Sequence, residues 1–253
     1  MPRPTPAITA WFDREDAIVS MAVGRSVLHL GCVGDPDRTP GWLTTGYPAS
    51  LHARLRAVAD TVGVDTNAEV VGSWLERHGV DDVLVGDVED LASLPLAPAF
   101  DLIVAADVIE HVSNPGRLLD GIHALCRPET VVVVTTPNAF GLPAYLRYGR
   151  GAFTDGEGHL TAHNPVTLVN LLERHRFRLL DLATCHQSTA AGTRAFRVGA
   201  PLLRRFPRFG GTLFAHGCNG QSGPPGGERP APSSPSVRWI AGGGRLSGCC
   251  PGA

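Results

Sequence analysis

The side chains best equipped for chemistry in this chain stand at the ends of apolar runs. Asp107, Glu110 and His111 follow the run Phe100-Asp101-Leu102-Ile103-Val104-Ala105-Ala106. A carboxylate next to an imidazole suits proton transfer, because imidazole titrates near neutrality. The alternative is that His111 only hydrogen-bonds within the turn that follows the run. Upstream, Val27-Leu28-His29-Leu30 enters Gly31-Cys32-Val33-Gly34-Asp35, and a glycine after a strand lets the backbone approach a ligand where a side chain would collide. A third run, Val62-Gly63-Val64-Asp65, ends in an acid able to accept two hydrogen bonds from a ribose diol. A fourth, Val85-Gly86-Asp87-Val88, offers another carboxylate. Acidic tips on successive runs point to one ligand-binding edge.

Parallel strands with helical crossovers would bring these tips together. The spacing predicts strands over 26 to 31, 62 to 65, 82 to 86, 100 to 106, 130 to 136 and 177 to 184, with 211 to 216 as a last antiparallel strand. Chain enough for a helix separates the 100 to 106 and 130 to 136 runs, so those two should be parallel with a right-handed connection. Helices are expected over 49 to 61, over 67 to 78 with Asn67 as cap, and after Asn114-Pro115, where Leu118, Leu119, Ile122 and Leu125 share a face. Asn164-Pro165 repeats that start. An amphipathic helix over 13 to 23 is expected to lid one edge. The organisation read from this pattern is an N-terminal lid helix within 1–25, a main α/β domain over 26–217, and a Gly/Pro-rich tail over 218–253 that cannot support a packed core.

Composition narrows the function classes. The 253 residues carry 22 basic and 24 acidic side chains, which gives no electrostatic footprint for nucleic acid. Every basic residue is arginine, which removes Schiff-base chemistry and a P-loop lysine. The six cysteines show neither CxxC pairs nor regular spacing, so no zinc site or disulfide framework is signalled. No run is long enough to span a bilayer, and no basic segment precedes an apolar run at the N-terminus. The expectation is a cytoplasmic protein with neither nucleic acid nor membrane as partner; its oligomeric state is left open.

Together these tips resemble class I S-adenosylmethionine-dependent methyltransferases over roughly residues 25 to 185. The glycine motif is similar to Val27 to Asp35, the ribose-binding acid falls on Asp65, the adenine-contacting Gly-Asp pair on Gly86-Asp87, and the fourth-strand motif on Phe100 through Val112. Val131 to Asn138 resembles the fifth strand. The Ile-Glu-His and Thr-Pro-Asn combination is similar to the branch that includes ubiquinone O-methyltransferases. The resemblance implies a Rossmann-like seven-stranded, mostly parallel sheet with helices on both faces and an antiparallel last strand. It also implies S-adenosyl-L-methionine as cofactor, held by Gly31, Cys32, Gly34, Asp65, Thr66, Asp87, Val88 and Asp107. Methyl transfer to oxygen of a small-molecule or glycan-type acceptor would then use Glu110 and His111.

Some positions depart from that pattern. His29 stands where the family usually has an acid, and Val33 and Asp35 where it usually has glycine. These motivate the alternative of a catalytically inactive methyltransferase-like binding protein. A nucleotide-dependent oxidoreductase is disfavoured because the first turn lacks GxGxxG. Asp107-x-x-Glu110-His111 also resembles the metal-binding motif of some O-methyltransferases, with His159 or His163 as a further ligand, so a divalent metal is an uncommitted second cofactor. The acceptor pocket is expected from the loop 138 to 163, with Phe140, Tyr145, Tyr148, Phe153, Arg147 and Arg150. Trp42 and Tyr47 are candidates either to stack on the cofactor or to anchor a surface loop.

Overall fold

The computed structural model describes residues 6–34, 46–151, 158–187 and 194–220. Asp35, Trp42, Phe153 and the tail from 221 onward lie outside the described residues. The elements alternate as expected: β1 (Trp11–Asp13), α1 (Arg14–Ala22), β2 (Ser26–Leu30), α2 (Tyr47–Ala49), α3 (Leu51–Arg56), β3 (Asp60–Asp65), α4 (Ala68–His78), β4 (Val83–Val85), a 3₁₀ turn (Val88–Ser93), β5 (Phe100–Ala106), α5 (Pro115–Leu125), β6 (Cys126–Pro137), α6 (Leu142–Tyr148), α7 (Pro165–Arg174), β7 (Phe177–His186), α8 (Arg194–Arg205), a second 3₁₀ turn (Pro207–Phe209) and β8 (Thr212–Asn219).

One sheet runs in the order β1-β7-β8-β6-β5-β2-β3-β4. Every pairing is parallel except those of β8 with β6 and β7. The chain winds outward from β2 through β3 and β4, then restarts on the other side at β5. The β2/β5 junction is therefore a topological switch point, where open α/β sheets hold ligands at the strand carboxyl ends.

Alternate residues of the strands feed opposite faces. Leu28, Leu30, Ile103, Ala105, Val132 and Val134 meet Leu118, Leu119 and Ile122 of α5 and Leu168 and Leu172 of α7. Val27, Leu102, Val104 and Val133 meet Ile18 and Met21 of α1 and Leu55 of α3. This period-two division explains why the strands read as continuous apolar runs: both faces are covered.

The caps form as the sequence predicts. Asn114 accepts from the Arg117 amide at 3.1 Å, Asn67 from the Val70 amide at 3.1 Å, and Asn164 from the amides of Val166 and Thr167.

The sheet has eight strands rather than the expected seven. The added one is β1, which pairs in parallel with Thr184 to His186 of β7; three residues are too few to show an alternation. The helix expected over an edge, α1, packs instead on a face of the sheet through Ile18 and Met21. The helix expected over 49 to 61 is broken at Ser50, whose extended backbone (φ −72°, ψ 154°) caps α3, and its last residues belong to β3. β6 starts at Cys126 and β8 reaches Asn219, both beyond the expected runs.

Candidate active site

The turn after β2 is built from two left-handed glycines, Gly31 at φ 65° and Gly34 at φ 78°. A Cβ at Gly31 would lie 2.5 Å from Cγ2 of Val108, so only glycine lets this turn lie against the tip of β5. The Gly31 amide donates to the Val64 carbonyl at 2.9 Å, and the Val33 amide to Oδ2 of Asp65 at 2.9 Å. The Asn67 amide donates to Oδ1 of Asp65 at 3.0 Å. Buried Asp65 thus ties the glycine turn to the start of α4, and each of its oxygens keeps acceptor capacity for a ligand.

Thr66 is exposed beside Asp65. Cys32 is buried at the turn; burial, then the nearby Asp65 charge, push its thiol well up, so it is a neutral wall. Asp87 is exposed and accepts from the Glu89 amide at 2.8 Å, while the Gly86 amide donates to the Asp65 carbonyl at 2.9 Å. The Val88 side chain points into the core, which leaves its backbone for ligand contact. Gly31, Cys32, Gly34, Asp65, Thr66 and Asp87 therefore converge on the β2/β3/β4 edge.

Asp107 follows β5 with φ 54°, unusual for a residue with a side chain. Its amide donates to both the carbonyl and Oγ1 of Thr135, at 3.1 Å each. Its carboxylate accepts from Thr135 Oγ1 at 3.0 Å, from Gln187 at 3.1 Å, and from the Arg14 guanidinium. Arg14 also pairs with Glu15 at 2.7 Å. Burial opposes the charge of Asp107, but Arg14, Thr135 and Gln187 together hold its carboxyl below the ordinary value. Burial likewise opposes the charge of Arg14, and Asp107 and Glu15 outweigh it. Arg14 and Gln187 were not visible in the sequence, because β1 and β7 must first pair to bring them to Asp107.

One turn on, Glu110 is 1% exposed, and neither carboxylate oxygen has a hydrogen-bond partner among the described residues. Burial first, then the Asp107 charge, push Glu110 up to about 8. Two neighbouring acids are thereby split, one ionised on Arg14 and one neutral. His111 is exposed at the mouth, its ring edge-on to His159 with centroids 4.6 Å apart. The amides of Leu160 and Thr161 donate to the Glu110 carbonyl at 2.7 and 3.2 Å, fastening the segment that carries His159. Donor atoms of Glu110, His111 and His159 lie within 4.8 Å of one another, an N/O set suited to a divalent ion. Asp107 is committed to Arg14, and His163, buried and held neutral by that burial, bonds Thr161 at 3.1 Å; neither belongs to this set.

His29 is buried under the glycine turn, stacked on His52 at 5.6 Å. Burial and His52 push it well below the usual imidazole value. Tyr47 stacks on His78 at 5.1 Å, meets Trp74 at a tilt at 5.0 Å and accepts from Arg56 at 2.9 Å, so it ties α2 to α3 and α4. Phe140, Tyr145 and Tyr148 are exposed by the mouth, as are Arg147 and Arg150. Asn138 clamps the end of β6, donating to the Gly210 carbonyl at 2.9 Å and accepting from the Phe140 amide at 3.1 Å.

Residues 23–182 match the sequence profile of a methyltransferase domain. A "Probable S-adenosylmethionine-dependent methyltransferase" of Mycolicibacterium smegmatis is 28% identical over 177 residues, covering 68% of this chain and 60% of that protein. A ubiquinone biosynthesis O-methyltransferase of Azorhizobium caulinodans is 31% identical over 119 residues, 46% of this chain and 41% of its own length. The matches span only about half the length of these curated relatives. Among solved structures, a SAM-dependent methyltransferase of Thermotoga maritima superposes with a TM-score of 0.54 at 15% identity, over 81% of this chain and 87% of the other. Magnesium protoporphyrin IX methyltransferase of Synechocystis, with bound SAH, gives 0.50 at 16% identity over 80% of each chain. At such identities the likeness is one of fold.

Proposed function

The chain belongs to the methyltransferase domain family, and from that we propose that it transfers a methyl group from S-adenosylmethionine to oxygen of a small-molecule or glycan-type acceptor. The observation that carries this reading is the direct contact between the glycine turn and the β5 tip: Gly31 lies against Val108 with no room for a Cβ. A ligand on the turn would therefore meet an acceptor on Glu110 and His111.

The residues present fit the cofactor. The left-handed glycines turn the backbone at the methionine end without side chains, Cys32 walls it, and the remaining lone pairs of Asp65 suit a ribose diol, with Thr66 beside it. Asp87 and the Val88 backbone are suited to the adenine. Asp107, fixed by Arg14, bounds the methionine end. S-adenosylmethionine supplies an already activated methyl group, so the protein's main task is to align the acceptor and exclude water. His111, exposed at the mouth, takes the acceptor's hydroxyl proton. Neutral Glu110 beneath it keeps a second charge away from Asp107.

Turnover of hydroxylated acceptors tests this: His111→Ala should lower kcat by roughly a hundredfold or more with S-adenosylhomocysteine affinity retained. Unchanged turnover would remove His111 from the reaction. A second reading of the same pair rests on the three converging donors: Glu110, His111 and His159 would hold a divalent ion, which supplies Lewis-acid polarisation of an acceptor oxygen. Loss of turnover on chelation, restored by added metal, would favour it. The alternative of an inactive binding protein, motivated by His29, Val33 and Asp35 at positions where the family usually has an acid and glycines, would be supported strongly by absent cofactor binding.

A further inference from the structure

The connection from β7 to β8 leaves and re-enters the sheet at the edge that carries the site. Thr212, the first residue of β8, pairs with Cys185 near the end of β7 and with Pro137 at the end of β6. Gln187, just past β7, reaches Asp107. Helix α8 and the turn Pro207–Phe209 therefore stand beside the site mouth.

This segment has an inner and an outer apolar side. Inward, Phe196 packs on Trp11 and His186, with centroids 5.4 and 4.6 Å away, and Ala200 is buried. Outward, Val198 is 82% exposed, and Leu202, Phe206 and Phe209 are 46, 42 and 42% exposed. Val198 and Leu202 lie four residues apart, one above the other on a helix. Exposed Arg197, Arg204, Arg205 and Arg208 flank them, and the Arg205 guanidinium sits 5.1 Å from the Phe206 ring centroid. From Arg194 to Phe209 there are five arginines and no acidic residue.

A solvated helix has no use for an outward Val-Leu-Phe stripe, and a phosphate-binding surface needs the arginines but not the aliphatics. An anionic bilayer surface uses both: headgroup phosphates pair with the guanidinium groups while the apolar stripe enters the acyl boundary. We propose that α8 and the turn after it form a docking surface for anionic phospholipid, with the helix lying in the plane of the membrane. Among the described residues no helix is long and apolar enough to cross a membrane; in-plane docking needs none, and it departs from the expectation of no membrane partner. Docking by this face brings the carboxyl edge of the sheet to the lipid surface. The inference does not depend on the acceptor proposed above.

Sedimentation of the full chain with vesicles tests it. The protein should pellet with mixed phosphatidylglycerol and phosphatidylcholine vesicles, remain in the supernatant with phosphatidylcholine alone, and be released by salt. Val198→Asp with Leu202→Asp should weaken vesicle binding by roughly tenfold or more, as should Arg204→Glu with Arg205→Glu. Binding of S-adenosylhomocysteine should be unchanged in both, a separate measure of the fold and of the cofactor site. Failure to pellet with anionic vesicles, equal binding to both vesicle types, unchanged binding by either variant, or equal affinity for polyglutamate would each overturn the proposal.

Discussion

At the scale of single residues the site depends on what Asp65 and Gly31 do at once. Asp65 takes two backbone amides, from Val33 and Asn67, while its remaining acceptor capacity faces the ligand edge. Replacing it with Asn removes the charge from those bonds and should cost about 1.5 to 3 kcal/mol of S-adenosylhomocysteine binding, roughly ten- to a hundredfold. Titration calorimetry reads this directly, and normal affinity in Asp65→Asn would take Asp65 out of the cofactor site. Gly31→Ala meets both a left-handed backbone and Val108. It should lose about 1 to 3 kcal/mol of stability in urea unfolding; a wild-type midpoint would mean that the turn can move off the β5 tip. Both positions stood out in the sequence because they close successive apolar runs, and a series of such tips is harder to attribute to chance than any one of them. Arg14 did not: its partner Asp107 is 93 residues away, and nothing local marks an arginine at a helix start as buried.

At the scale of elements, the strands and caps were legible because their causes are local. Val131 to Val134 is β-branched throughout and covered on both faces, and Asn114-Pro115 starts α5 with a side-chain acceptor and a preset φ. What was not legible depended on tertiary contact. β1 exists because β7 offers it an edge, and Ser50 ends one helix and caps the next where periodicity alone read one continuous helix. The β1–α1 junction then does more than cover an edge: it delivers Arg14 to the β5 tip. Arg14 and Asp107 are 11% and 24% exposed, so Arg14→Met leaves a largely buried carboxylate without its cation and should cost about 3 kcal/mol. Asp107→Asn in the same chain should recover part of that loss. Strictly additive losses in denaturant unfolding would show that the two do not act as a pair.

At the scale of the whole fold, the described residues form a mostly parallel sheet that reverses its winding at β2/β5 and gathers the candidate site's polar side chains on the carboxyl edge. Three imidazoles, His29, His163 and His216, are held below their usual value by burial. A histidine whose folded pKa is depressed binds its proton more readily when unfolded, so these three rings should make folding stability fall as pH drops below about 6.5, against an opposite slope from Glu110, whose raised value favours the fold as pH drops below about 8. Urea midpoints of a Glu110→Gln variant, taken downward from neutral pH, read the histidine slope alone; a flat profile in that variant would mean that these rings are not buried in solution. The switch point also explains why the site could be outlined before its ligand: strand order sends Gly31, Asp65, Asp87 and Glu110 to one edge whatever their loops do. That edge is the substance of the functional claim. Its most direct test is calorimetric titration of the purified full chain with S-adenosylhomocysteine. Saturable one-to-one binding, weakened in Asp65→Asn, is the predicted result, and no binding at millimolar ligand would contradict it.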